Sequence, residues 1–261
     1  MPLSKKSPYV SARRRQPETS FPSSQQIERF QADLLRWFEK HSRKFPWRKA
    51  TASKYEIIIA EVLLQRTRAE TVATFFPRFV REFPSWRRLS SSSILQLEDY
   101  LRPIGLWRRR AITIQALARE MVKRNGRFPK ERIDIEVLPG VGQYIANAVL
   151  LFCHGIPQPL LDVNMTRVLE RVFGPRKLAD IRYDPYLQDL AKMLVYCEEA
   201  ERISWAILDL AAAICLPRNP RCNECPLVPM CKFASSCGED VRVSDGPVIA
   251  DGTRNIVWPR G

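Results

Sequence analysis

Cys215, Cys222, Cys225 and Cys231 are separated by six, two and five residues, and no other feature limits the fold of this chain as strongly. Four thiolates gathered on one centre force the backbone between them to curl, because a metal site fixes ligand positions in space. Zinc ribbons and knuckles present two short-spaced pairs. Here only Cys222 and Cys225 form a short pair, and the wider outer spacings suit one wrap around a larger object, a [4Fe–4S] cluster. Tetrahedral zinc and a metal-free loop are the readings left open. The two histidines, His41 and His154, are remote in sequence. Cys153, Cys197 and Cys237 are scattered, and an odd total of seven in a core-rich chain points to a reducing compartment rather than to disulfides. Arg218, Arg221 and Lys232 interleave with the four ligand candidates, so the loop is placed to meet a phosphate backbone while the cluster shapes it.

Bulk charge points the same way. Lys and Arg outnumber Asp and Glu by 42 to 28 over 261 residues, a formal net charge of +14. Such a balance favours a polyanionic partner, nucleic acid ahead of an anionic membrane. No apolar run reaches the roughly 20 residues of a membrane span. The basic amino terminus is not followed by an apolar h-region, so no secretion signal is expected. For a prokaryotic chain the expected location is the cytoplasm, beside the nucleoid.

The second constraint is the stretch from Val137 to Arg167. Gly140 and Gly142 bracket Val141 in Leu-Pro-Gly-Val-Gly, so the backbone is free to take positive φ and to approach a partner closely. An Ala/Val/Leu-rich segment, Gln143 to Cys153, reads as a helix whose free amides and positive dipole end suit a phosphate. By itself the turn is equally a tight connection between two core helices. Tyr144 opens this helix, and a lone carboxylate, Asp162, follows it.

The apolar periodicity predicts helices over 24–41, 55–66, 71–83, 94–101, 109–125, 165–173, 186–195 and 204–214. Strand-like alternation is almost absent, so the fold class is all-α. The 55–66 helix is apolar on nearly every side yet carries Glu61 in its middle. That carboxylate sits either at the edge of the buried face or in a site where desolvation raises its pKa. Gln65 lies one turn on, on the same face. Pro103-Ile104-Gly105-Leu106-Trp107 ahead of Arg108, Arg109 and Arg110 is either a solvated helix start or an apolar wedge flanked by phosphate contacts. Residues 1–24, with the run Arg13 to Arg15, read as a basic tail, and 237–261 as a mixed C-terminal tail.

Hairpin, aspartate and cysteine spacing together resemble the helix-hairpin-helix DNA glycosylases that carry an iron–sulfur cluster: endonuclease III, the mismatch adenine glycosylases and the mismatch thymine/uracil glycosylases. The resemblance covers about Ile27 to Cys237. It implies two helical lobes with a cleft between them. One lobe is a six-helix barrel over 51–152, with the helix-hairpin-helix motif near 131–153. The other is a discontinuous cluster lobe from 25–50 and 153–236. It further implies a monomer acting on double-stranded DNA that contains a mismatched or damaged base. Gly140, Val141 and Gly142 would lie on the DNA backbone, with the target nucleotide flipped into the cleft. Gln65 and Leu106 would fill the gap it leaves, and Cys215, Cys222, Cys225 and Cys231 would hold the cluster.

Asp162 matches the family's catalytic aspartate, which suits a reaction that builds positive charge on a sugar; a helix N-cap is the alternative role. Bifunctional members resembling endonuclease III have a lysine at the position of Tyr144, and a phenol forms no imine. The resemblance therefore implies a monofunctional enzyme that uses water. Glu61 matches a glutamate that mismatch-specific members place near the leaving base. Asp162-Val163-Asn164 and Leu64-Gln65-Arg66-Thr67 depart from the adenine enzymes, which read Asp-Gly-Asn and Leu-Gln-Gln-Thr. The chain is also expected to be too short for their additional C-terminal domain. The Phe45-Pro46-Trp47-Arg48 segment, Arg66-Thr67, Ile104-Gly105-Leu106, the Tyr144–Asp162 combination and Cys237 resemble the thymine/uracil enzymes. The expectation is removal of thymine or uracil opposite guanine. Adenine removal from A·G or A·8-oxoguanine pairs is the alternative, and a non-catalytic iron–sulfur DNA-binding protein is the alternative of another class.

Overall fold

Strong local signals set the longer helices. Ser23 caps the first one: its hydroxyl accepts from the Gln26 amide while the Gln26 side chain accepts from the Ser23 amide. Ser53 and Glu56 make the same reciprocal box at the second, and each box satisfies amides that a helix start leaves unpaired. The computed structural model describes residues 20–236. Arg13 to Arg15, Cys237 and the 237–261 segment lie outside the described residues.

Among the described residues the chain is all-α, with no strand. The helices are α1 (Ser24–His41), α2 (Lys54–Leu64), α3 (Ala69–Glu82), α4 (Trp86–Ser91), α5 (Ile94–Leu101) and α6 (Trp107–Lys123). They continue as α7 (Arg132–Glu136), α8 (Gln143–Ala148), α9 (Val163–Phe173), α10 (Pro185–Val195), α11 (Ala200–Ala213) and α12 (Lys232–Ser236). The polar stretch read through residue 24 gives way earlier, because Phe21 packs on Tyr186 with ring centroids 5.2 Å apart. α3 tolerates Pro77 inside it. Phe75, Phe76 and Phe79 anchor the helix in the core, which outweighs the roughly 3 kcal/mol that an interior proline costs.

α4 and α5 both pack on α6, and α2 contacts α3 and α8. Separately, α1 lies against α10 and α11, α11 against α9, and α9 against α12. Side-chain contacts join these groups and hold the segment that links α1 to α2. Phe152, in the π-helical turn Val149–Cys153 that extends α8, stacks on Trp205 of α11 at 5.7 Å. Asp209 of α11, fully buried, accepts from Arg43 Nε at 2.7 Å and Arg48 Nη1 at 2.8 Å. A buried carboxylate without those partners would be strongly destabilising.

Between α7 and α8 the chain turns through Gly140, whose φ is +75°. A Cβ there would fall 2.1 Å from Thr113 Cγ2, so glycine lets the hairpin seat against α6. The expectation for Gly142 is corrected. Its φ is −101° with ψ −177°, extended backbone that needs no glycine.

Candidate active site

Between the two groups of helices opens a cleft of ≈ 1260 Å³, lined among others by Glu61, Gln65, Gly142, Tyr144, Asp162 and Arg48. Its floor is the point where α2, α8 and the start of α9 meet. Glu61 is 3 % exposed, so the buried alternative holds over a surface position. Tyr144, half-buried on the first turn of α8, donates its hydroxyl to Glu61 Oε2 at 3.0 Å. Burial pushes the Glu61 carboxyl up to about 7. The Tyr144 hydrogen bond and the Arg48 cation oppose that rise, while the nearby Asp162 adds to it. Burial, followed by the charges of Glu61 and Asp162, drives the Tyr144 phenol well above its ordinary value. The phenol therefore stays protonated and donates. A carboxyl poised near neutrality in a cleft is a candidate acid–base group.

Asp162 is at once the cap of α9 and a wall of the cleft. Its Oδ1 accepts from the amides of Asn164 and Met165 at 2.9 and 2.8 Å, and its Oδ2 from Asn164 Nδ2 at 2.7 Å. The cap is therefore present, and its bonds fix the carboxylate's orientation at the cleft. Asn164 is itself oriented, its Oδ1 accepting from Arg167 Nη1 and Nη2 at 3.2 and 3.3 Å. Arg167 Nε in turn donates to the Cys215 carbonyl at 2.7 Å.

In the sequence Arg48 stands only as part of the Phe45-Pro46-Trp47-Arg48 segment, with no role of its own. Its guanidinium lies between the rings of Phe45 and Trp205, 5.0 and 5.1 Å from their centroids, while Nη1 bonds Asp209. Nε is buried without a hydrogen-bond partner. The pairing joins residues 161 apart in sequence, so no local pattern could have exposed it.

The remaining candidates are not all drawn to the cleft floor. Gln65 is exposed at the end of α2. Leu106 is 54 % exposed ahead of α6, in a left-handed conformation with φ +53° and ψ +22°. Gly140 is exposed, but Val141 is 8 % exposed and its amide donates to the Leu138 carbonyl at 3.1 Å. The Val141 amide is thus committed inside the hairpin.

Cys215, Cys222, Cys225 and Cys231 share one neighbourhood beneath α9. Burial, then the proximity of the other three, pushes the Cys225 thiol up to about 12. Arg171 Nη1 donates to Cys215 Sγ at 3.3 Å, and Cys231 Sγ donates to the Arg171 carbonyl at 3.3 Å. Among the described residues no group of three or more His, Cys, Asp or Glu closes to the spacing that holds a single metal ion.

Residues 59–182 match the HhH-GPD superfamily base excision DNA repair proteins. The chain is 36% identical over 211 residues to a thymine/uracil-DNA glycosylase of Pyrobaculum aerophilum, covering 79% of this chain and 91% of that protein. It is 36% identical over 212 residues to a thymine-DNA glycosylase of Aeropyrum pernix, covering 79% and 95%. An adenine DNA glycosylase of Mycobacterium tuberculosis is 33% identical over 215 residues, covering 81% of this chain and 69% of that one. Among solved structures, a thermostable thymine-DNA glycosylase superposes with a TM-score of 0.75 at 30% identity, covering 82% and 98% of the two chains. Endonuclease III trapped in a covalent intermediate with DNA superposes with a TM-score of 0.69 at 25% identity, covering 84% and 100%. Sequence and fold agree, and the chain belongs to the HhH-GPD superfamily of base excision DNA repair proteins.

Proposed function

We propose that this protein is a monofunctional DNA glycosylase that hydrolyses the N-glycosidic bond of thymine or uracil opposite guanine. The observation that carries the reading is the Glu61–Tyr144–Asp162 constellation around one cleft. It combines a carboxyl titrating near 7, a phenol locked as its donor, and a carboxylate held in place by a helix start. As the C1′–N bond breaks, positive charge grows on the deoxyribose; Asp162 stabilises it, orients a water molecule for attack at C1′ and takes the proton that the water loses. The departing base takes up the electron pair. Glu61, with Oε2 engaged by Tyr144, has Oε1 left to donate a proton or hydrogen bond to a base carbonyl. No amine is available at position 144, so no imine forms and the product is an abasic site in an intact strand. A single copy carries every residue named, so the reaction needs no second subunit.

The flipped nucleotide enters between a barrel lobe, 51–152, and a second lobe from 25–50 and 153–236. Gln65 and Leu106, the exposed side chains at the rim, occupy the vacated stack. The exposed hairpin at Gly140 and Gly142 follows the phosphate backbone. Cys215, Cys222, Cys225 and Cys231 are the residues that would hold a [4Fe–4S] cluster, a reading supported by their spacing of six, two and five residues and by their mutual proximity. Its contribution would be structural, holding the loop with Arg218 and Arg221 against DNA.

Removal of adenine is the second reading, favoured by the similarity to adenine DNA glycosylases. Duplexes bearing a single T·G, U·G, A·G or A·8-oxoguanine pair, treated with alkali after incubation, separate the two. Cleavage of T·G and U·G alone is the expected result. Cleavage of the adenine pairs alone replaces the substrate assigned here, and tight binding without release of any base supports a non-catalytic protein.

A further inference from the structure

Arg110, in the first turn of α6, is a buried cation with no carboxylate. It is 6 % exposed, and among the described residues its bonds go to carbonyl and hydroxyl oxygens. Nη2 donates to the Gln65 carbonyl at 2.8 Å and to Thr67 Oγ1 at 3.1 Å, and Nη1 to the Ile104 carbonyl at 3.3 Å. Thr67 Oγ1 itself donates to the Ile104 carbonyl at 3.3 Å. The Arg110 backbone amide closes on the Leu106 carbonyl at 2.9 Å. The one guanidinium is therefore bonded to the carbonyl of Gln65 on one loop and of Ile104 on the other.

An apolar side chain would fill this position without a desolvation penalty. What the guanidinium adds is a rigid planar fork able to reach two loops at once, a geometry that a lysine ammonium lacks. Both loops also hold a non-glycine residue at positive φ, Arg66 at +59° and Leu106 at +53°. Such conformations persist only when the surroundings over-determine them. The Arg110 bonds supply that determination on both sides.

We propose that Arg110 is a positioning residue that locks the Gln65–Thr67 loop and the Ile104–Leu106 turn at a fixed spacing, so that both side chains enter the duplex together as the target nucleotide leaves the stack. This rests on the gap-filling reading of Gln65 and Leu106 given above. The lock acts on extrusion, not on bond cleavage. Its loss therefore slows reaction on a paired target and spares a target that needs no partner displaced.

The test compares wild type with Arg110→Met and Arg110→Lys, the second guarding against a misfolded apolar variant. Extrusion is followed by the fluorescence of 2-aminopurine placed beside a T·G pair. Base release is measured from that duplex and from one whose target thymine is bulged. Expected are near-wild-type helical circular dichroism, a reduced fluorescence rise, and about ten-fold slower release from the mismatch. Release from the bulge should change by less than about three-fold. Equal losses on both duplexes, or an unchanged fluorescence rise, overturn the proposal. A wild type that raises fluorescence without releasing a base refutes the glycosylase reading and leaves the lock standing. A wild type that does neither overturns both.

Discussion

Replacing Asp162 by Asn or by Ser is expected to lower single-turnover base release by at least about 100-fold, the scale on which removing one preorganised charge-stabilising group acts. The difficulty is to separate that loss from damage to α9, because Asp162 caps the helix through Oδ1. Both replacements retain an oxygen able to accept from the Asn164 and Met165 amides, and both are good capping residues. They differ at the second oxygen. An asparagine with Oδ1 on the amides directs its own Nδ2 toward Asn164 Nδ2, donor against donor. Asn164 is not free to turn its amide over, because Arg167 holds its Oδ1. Serine has no atom there. Asp162→Asn should therefore melt below Asp162→Ser, by an amount near that of one part-buried hydrogen bond, about 0.5–1.5 kcal/mol. Activity should be lost in both. Measuring melting and single-turnover rate on the same preparations checks this: a Ser variant that keeps wild-type activity removes Asp162 from the chemistry.

Glu61→Gln is expected to make the protein slower and more stable at once. The Glu61 carboxyl is pushed up to about 7 in the folded chain, chiefly by burial. Between the ordinary glutamate value and 7, the folded state holds a proton that the unfolded chain has released. Stability from this group is therefore intact at low pH, falls as pH climbs through that window, and is constant above it. At pH 8 the accumulated penalty is about 3 kcal/mol. Glutamine removes it while its Oε1 still accepts from Tyr144. Chemical denaturation at pH 5 and pH 8 should show the variant gaining little at the lower pH and most at the higher. Base release should fall about 10–100-fold, the range for losing a general acid. The wild-type rate should decline as pH rises past 7, whereas the variant's rate stays flat. A variant no more stable than wild type at pH 8 would show that Glu61 is not desolvated as described.

How far the sequence reaches depends on where the determinants lie. α1 and α5 were read at their true ends, because a capping serine precedes a complete apolar stripe. α4 and α7 escaped, with six and five residues: too short for a 3.6-residue period to declare itself. For Glu61 the pattern left burial undecided, since a helix apolar on nearly every side does not say what covers its one polar position. Tertiary packing decided it, with Tyr144 supplied from 83 residues away. The Arg48–Asp209 pair, and the bonds of Arg110 to Gln65 and Thr67, depend on distant segments and leave no local trace. Gly140 and Gly142 looked equivalent in sequence, yet only Gly140 needs to be glycine, because Thr113 of α6 presses on it. The four clustered cysteines are legible at once, because the pattern is local: Cys215, Cys222, Cys225 and Cys231 lie within one short segment.

The central claim is that water, and no protein amine, takes the place of the base. Reaction on a T·G duplex in the presence of borohydride tests it directly, because reduction captures any imine between protein and sugar. Expected are an intact strand before alkali, cleavage after it, and no protein–DNA adduct on a denaturing gel. A borohydride-dependent adduct, or strand breaks without alkali, would contradict it.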